Sequence, residues 1–118
     1  MKKLMLTLGL FLMVSAIAFS QTQVLSGSWG GNSESKGYSL HQNTGDRTYT
    51  VEVNFLKPFE NKPDVVVGVS SIDAAPGTNL RYSIKAKSIS RDGCTIEIKT
   101  WGDTKILSIT GFWMAHAE

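Results

Sequence analysis

The 118-residue chain has one cysteine, two histidines and three prolines, and its charges nearly cancel, with 12 Lys and Arg against 10 Asp and Glu. A single cysteine excludes an intrachain disulfide. Cys94 is either a buried small apolar side chain or half of an intermolecular bridge, and its position on a core-facing strand parity favours burial. His41 and His116 are the only imidazoles, and there is no Cys-x-x-Cys, His-x-x-x-His or alternating Asp run, so zinc and EF-type calcium sites lack support. No Ser lies in a nucleophile elbow, and Gly27 and Gly30-Gly31 precede no helix that could cradle a phosphate. The loop acids Asp46, Asp73 and Asp103 read as turn or capping residues rather than as a glycosidase pair. No cofactor is implied, and an enzyme is the weaker functional class.

Long apolar runs are equally scarce, with one exception. Leu4 to Phe19 is almost continuously apolar behind Lys2-Lys3 and ends in Ala18-Phe19-Ser20. A basic start, an apolar stretch and a small-residue exit describe a secretory signal peptide over residues 1–20, cut after Ser20. The run is short for a membrane span of about 20 residues, and no stop-transfer charges follow it. The mature domain, residues 21–118, is then 118 minus 20, or 98, residues long. It loses Lys2 and Lys3, which leaves 10 positive against 10 negative side chains. Such a domain has no basic field for nucleic acid and no membrane span once the signal is cut. It is expected to be secreted, to the periplasm or the cell exterior.

What remains reads as all-β. Val24 to Trp29 forms a short first strand, and Gly30 to Asp46 a polar loop with Tyr38 and Leu40 as its only large apolar residues. A loop of that length is uncommon unless it has a task. Arg47 to Phe55 alternates, with Tyr49, Val51, Val53 and Phe55 on one face and Thr48, Thr50, Glu52 and Asn54 on the other. Asp64 to Val69 is a continuous apolar run suited to a strand buried on both sides, and Asp73 to Thr78 a further loop. Leu80, Tyr82, Ile84 and Ala86 share one face opposite Arg81, Ser83, Lys85 and Lys87. Arg91-Asp92-Gly93 turns the chain into Cys94, Ile96 and Ile98, and Gly102-Asp103 turns it again into Thr104 to Met114. Six short strands at this spacing, with no helical stripe, predict a sandwich or small barrel.

Two features of the pattern bear on function. Trp101 and Arg81 both fall on the polar parity of adjacent antiparallel strands, which places them together on one outward face at one end of the sheet. A planar donor beside an aromatic plane suits a polar ligand with an apolar face, and it suits a cation–π surface pair equally well. The last strand is apolar on both parities, with Ile106, Phe112 and Met114 on one and Leu107, Ile109, Gly111 and Trp113 on the other. It needs two covers, the domain core and a second one, for which a neighbouring subunit is favoured.

Arg47 to Ala115 resembles the H-type lectin domain family. The residues that carry the resemblance are Val53-Asn54-Phe55 with Lys57-Pro58-Phe59, Pro63-Asp64-Val65-Val66-Val67-Gly68, Ser71-Ile72-Asp73, Asn79-Leu80-Arg81, Ser88-Ile89-Ser90, Thr100-Trp101 with Asp103-Thr104, and Trp113-Met114-Ala115. Val24 to Gly27 is similar to the family's opening strand. The resemblance implies a six-stranded antiparallel β-sandwich that assembles as a homotrimer, sometimes doubled to a hexamer. It also implies a cleft between protomers for glycans of the galactose or N-acetylgalactosamine type. Arg81 matches the family's sugar-binding Arg, and Trp101 matches the Trp of the opposite wall. Asp46 is the acid nearest the family's Asp in the loop before the second strand, where ungapped counting places Thr44. Where the snail agglutinin of the family has His directly after the Trp, this chain has Gly102, and where it has a later Tyr, this chain has Leu107.

The expectation is therefore a secreted, non-enzymatic lectin whose carbohydrate-binding residues are Arg81, Trp101, Asp46 and Gly102. The alternative is a structural or protein-binding adhesion module on the same scaffold, with a decayed sugar site.

Overall fold

The computed structural model describes residues 22–118, and the predicted export segment over residues 1–20 lies outside them. Six strands follow one another, β1 Gln23–Asn32, β2 Arg47–Asn54, β3 Asp64–Ala74, β4 Tyr82–Lys87, β5 Gly93–Thr100 and β6 Ile106–Ala117. They pair antiparallel into two three-stranded sheets, ordered β1-β6-β3 and β2-β5-β4. The result is the six-stranded β-sandwich, not a closed barrel.

Side-chain alternation produces this arrangement directly. In β5 the inward residues Cys94, Ile96, Ile98 and Thr100 are all buried, and the register sets Val51, Ile96 and Ala86 side by side across the sheet. Ile106, Ile109, Trp113 and Ala115 of β6 pack onto them from the facing sheet. Each fully buried Ile contributes about 1.5–3 kcal/mol of hydrophobic stabilisation. Trp29 lies over β6 and donates its indole N–H to the Phe112 carbonyl at 3.0 Å. That approach requires Gly111, because a Cβ there would stand 2.4 Å from the Trp29 ring and 2.0 Å from the Gly68 carbonyl oxygen. Cys94 is free and buried, the first of its two readings. Burial, and secondarily the charge of Glu52, pushes its thiol above the usual range.

Several local expectations change. β1 runs on through Gly30-Gly31 to Asn32, so the long loop is shorter, at residues 33–46. β3 continues to Ala74, which puts Asp73 inside a strand opposite Ser108 rather than in a loop. The run from Val65 to Val69 is not buried on both sides; it alternates, and Val66 faces outward and is exposed. β6 breaks its own alternation. Asp73 pairs with Ser108 and Ala74 with Ile106, so Leu107 is an extra residue in a bulge. The bulge resets the parity, so that Ile106 and Ile109 both face the core. Leu107 faces out with Phe112 and Met114, contrary to the grouping of Ile106 with Phe112 and Met114.

Candidate functional site at one end of the sandwich

The end of the sandwich where β2 and β4 begin and β5 ends is closed by the loop 33–46. Its two large apolar residues are core residues. Leu40 is fully buried and its carbonyl accepts from the Ile106 N–H at 2.9 Å, and Tyr38 donates its hydroxyl to the Ile106 carbonyl at 2.7 Å. Tyr38 also meets Tyr49 edge-on and His41 at a tilt. Its phenol is pushed up to about 12, by burial first and by neighbouring Tyr49 second.

Arg47 is the centre of this end. It opens β2 on the inward parity and is 7% exposed. Among the described residues its guanidinium meets no carboxylate; it donates to five main-chain carbonyls. Nε reaches Gly45 at 3.0 Å, Nη1 reaches Leu40, Gln42 and Thr104 at 3.3, 3.0 and 2.6 Å, and Nη2 reaches Gly102 at 3.0 Å. The Gly45 N–H donates to the same Gly102 carbonyl at 3.0 Å. One buried cation thus ties the loop before β2 to the turn between β5 and β6, where carbonyl dipoles take the place of a counter-ion.

That turn, Trp101-Gly102-Asp103, carries the candidate chemistry. Two buried threonines flank it and grip the backbone of Arg81 from both sides. Thr100 donates its hydroxyl to the Arg81 carbonyl at 2.5 Å, whereas the Thr104 hydroxyl accepts from the Arg81 N–H at 3.0 Å and donates to the Asn79 carbonyl. Tyr82 pairs with Thr100, which makes Arg81 and Trp101 the next row beyond the ladder. Trp101 is 37% exposed. The Arg81 guanidinium reaches across Gly102, with Nη1 2.9 Å from Asp103 Oδ1, and these side chains are 42% and 48% exposed. Asn79 brackets the same carboxylate, with its main-chain N–H at 3.4 Å and its amide at 3.5 Å. Desolvation, the largest single influence, works to raise the Asp103 carboxyl, but the hydrogen bonds from Asn79, its own backbone and Arg81 together outweigh it and hold the group below the ordinary carboxylate value.

Of the sequence-predicted residues, Arg81, Trp101 and Gly102 come together here. Asp46 lies at the same end, one residue beyond Gly45, but its carboxylate pairs with Lys99 at 3.4 Å rather than with Arg81. The two imidazoles are far apart in the fold: His41 stacks on Tyr38 at this end, and His116 sits near the end of β6 between Val24 and Asp64. Arg47, Thr100, Thr104, Asn79 and Asp103 were not singled out as site residues. For Arg47 and Thr100 a signal existed. Each is a polar side chain on the core parity of its strand, Arg47 with Tyr49 and Val51, and Thr100 with Ile98 and Ile96.

The family model for the H-type lectin domain matches residues 50–116. The chain is 39% identical over 79 residues to a protein of Fuscovulum blasticum named ATP synthase subunits region ORF 7, a match covering 67% of this chain and 69% of that one. It is 30% identical over 78 residues to Discoidin-2 of Dictyostelium discoideum, covering 65% of this chain and 30% of that protein. The structure of wild-type discoidin II from the same organism superposes with a TM-score of 0.73 at 25% identity, over 85% of this chain and 38% of that one. This chain therefore spans little more than a third of discoidin II. The lectin family and these fold neighbours make the domain a carbohydrate-binding one rather than an enzyme. The chain belongs to the H-type lectin domain family.

Proposed function

We propose that the protein is an exported lectin that binds galactose- or N-acetylgalactosamine-type glycans in clefts between protomers of a homo-oligomer, a trimer or a pair of trimers. The observation that carries this reading is the cluster of Arg81, Trp101 and Asp103 at the Arg47 end of the sandwich. A half-exposed guanidinium supplies fixed donors, a half-exposed carboxylate supplies acceptors, and an indole can cover the apolar face of a sugar ring. Thr100, Thr104 and Arg47 hold the backbone beneath all three, so little ordering remains to oppose binding.

The oligomer rests on the outer face of the β1-β6-β3 sheet. Val66, Met114 and Ser26 form one row across it, and Gly68, Phe112 and Ser28 the next. Val66, Phe112 and Met114 are exposed in those two rows, which carry no charged side chain, and Val24 is exposed in the bordering row, which ends in His116 and Asp64. A second copy is the occupant such a face fits, since an isologous or cyclic contact needs no charge complement. Several weak sites on one oligomer would then engage a glycan-coated surface together. A single shallow site with a Kd on the order of 0.1–1 mM is worth only about 4–5.5 kcal/mol.

The test is a glycan array probed with the purified protein, with its mass measured in solution by light scattering. Arg81→Ala is expected to abolish binding while leaving the oligomer and its melting temperature intact. Undiminished binding by that variant removes Arg81 from the site. A stable oligomer that binds no glycan would favour the protein-binding adhesion module, with the absent His and Tyr at Gly102 and Leu107 as the reason.

A further inference from the structure

Arg81 does not offer an empty guanidinium to a ligand. Gly102 lies beneath it with φ +68°, and a Cβ there would stand 3.1 Å from Nη1, closer than ordinary contact. The absence of a side chain at 102 is what lets the Arg81 fork lie over the turn and meet Asp103. Asn79 fixes that carboxylate from the other side, so the pair is a built feature and not two side chains that drift together. Three further cations at this end are also engaged. Lys99 pairs with Asp46, Lys105 donates to the Asn43 carbonyl, and Arg47 is buried among carbonyls.

We propose that Asp103 sets the charge specificity of the site, so that it takes uncharged sugars and rejects acidic ones. This rests on the reading of the cluster as a sugar site. A sugar hydroxyl is at once a donor and an acceptor, so it can bridge Arg81 and Asp103 without separating them. A sugar carboxylate or sulfate only accepts. To reach Arg81 it must displace Asp103 from the fork and then remain beside that negative charge. The repulsive element excludes a competitor that would otherwise bind a lone Arg well. Asp103 is thus a specificity-determining residue, with Gly102 as the opening that permits the pair.

The experiment compares galactose with galacturonic acid, two ligands that differ only at C6, by titration calorimetry at neutral pH on the full protein and on Asp103→Asn. The wild type is expected to bind galactose and to bind galacturonate at least about tenfold more weakly. Asp103→Asn should shift that ratio toward galacturonate by about tenfold, which is 1.4 kcal/mol, and the gain should shrink in high salt. Asp103→Ser, which removes the charge with a smaller side chain, should shift it in the same direction. An unchanged ratio in both variants, or a wild type that binds the two sugars equally, overturns the proposal.

A second readout is independent of sugar binding. The Arg81 side-chain nitrogen resonances are followed as acetate is added; they should move in Asp103→Asn and stay fixed in the wild type. If the wild type binds neither sugar but this contrast holds, the lectin reading of the cleft fails and the charge gate stands. If the contrast is absent, the gate itself fails.

Discussion

Removing the Arg47 guanidinium should unlock the whole functional end of the sandwich. Arg47→Met keeps the stem and roughly the packing volume but deletes five donors. Two of the five carbonyls keep a partner, because Leu40 still accepts from Ile106 and Gly102 still accepts from Gly45. The carbonyls of Gln42, Gly45 and Thr104 depend on Arg47. An unsatisfied buried polar group costs about 1–3 kcal/mol. Gln42 and Gly45 lie in the partly buried loop, where water can replace the donor and the loss sits near the low end. The Thr104 carbonyl, whose 2.6 Å bond is buried, lies near the middle. The total is about 3–5 kcal/mol, offset in part because the variant no longer buries a charge, so a net loss of about 3 kcal/mol is expected. At roughly 4–8 °C per kcal/mol for a domain of this size, the melting temperature should fall by about 12–24 °C. Arg47→Lys retains one cation with three donors and should lose about half as much. Urea titration with an unchanged slope measures both. A loss below about 1 kcal/mol for Arg47→Met, or equal losses for Met and Lys, would refute the view that this guanidinium holds the two segments together.

Other consequences follow from named contacts. The Tyr38 phenol ionises at about 12 in the folded protein, above its unfolded value of about 10. Its contribution to stability is therefore complete below pH 10 and is lost as pH rises toward 12. Denaturant melts across that window should show a steeper alkaline loss for the wild type than for Tyr38→Phe, and equal slopes would contradict the burial assigned to Tyr38. Phe112→Asp introduces a charge into the uncharged central rows of the β1-β6-β3 face at a half-exposed position. It should leave the monomer fold intact by circular dichroism and dissociate the oligomer by light scattering, with glycan-array binding falling with it. An undissociated oligomer would move the interface elsewhere.

The strands most legible in the sequence were β2, β4 and β5, where period-two alternation is uninterrupted, and the hairpin turn at Arg91-Asp92-Gly93 fixes β4 and β5 as neighbours, whereas the pairing of β2 with β5 is non-local. The pairing of Tyr82 with Thr100 follows from that logic, and so does the meeting of Arg81 and Trp101 at one end. The family could be read from motifs spread along about seventy residues in unbroken order. Alternation failed where it stopped being local. One extra residue at Leu107 resets the parity of β6, and no composition signal distinguishes a bulge from a continuous strand there. The same difficulty hid the true end of β3, which carries Asp73 in a strand.

The sequence by itself determined the all-β class, the antiparallel pairing of β4 with β5, the family and the placing of Arg81 and Trp101 at one end of that pair, because each follows from residues close together in the chain or from an ordered pattern of them. Only the tertiary structure decided what holds those side chains in place and what they are already bound to. Arg47 draws its five acceptors from residues 40–45 and 102–104, and Asp103 meets Arg81 from 22 positions away. Those partners become neighbours only after two sheets and a loop have closed one end of the sandwich. A buried guanidinium is stable only once all its acceptors have been brought to it.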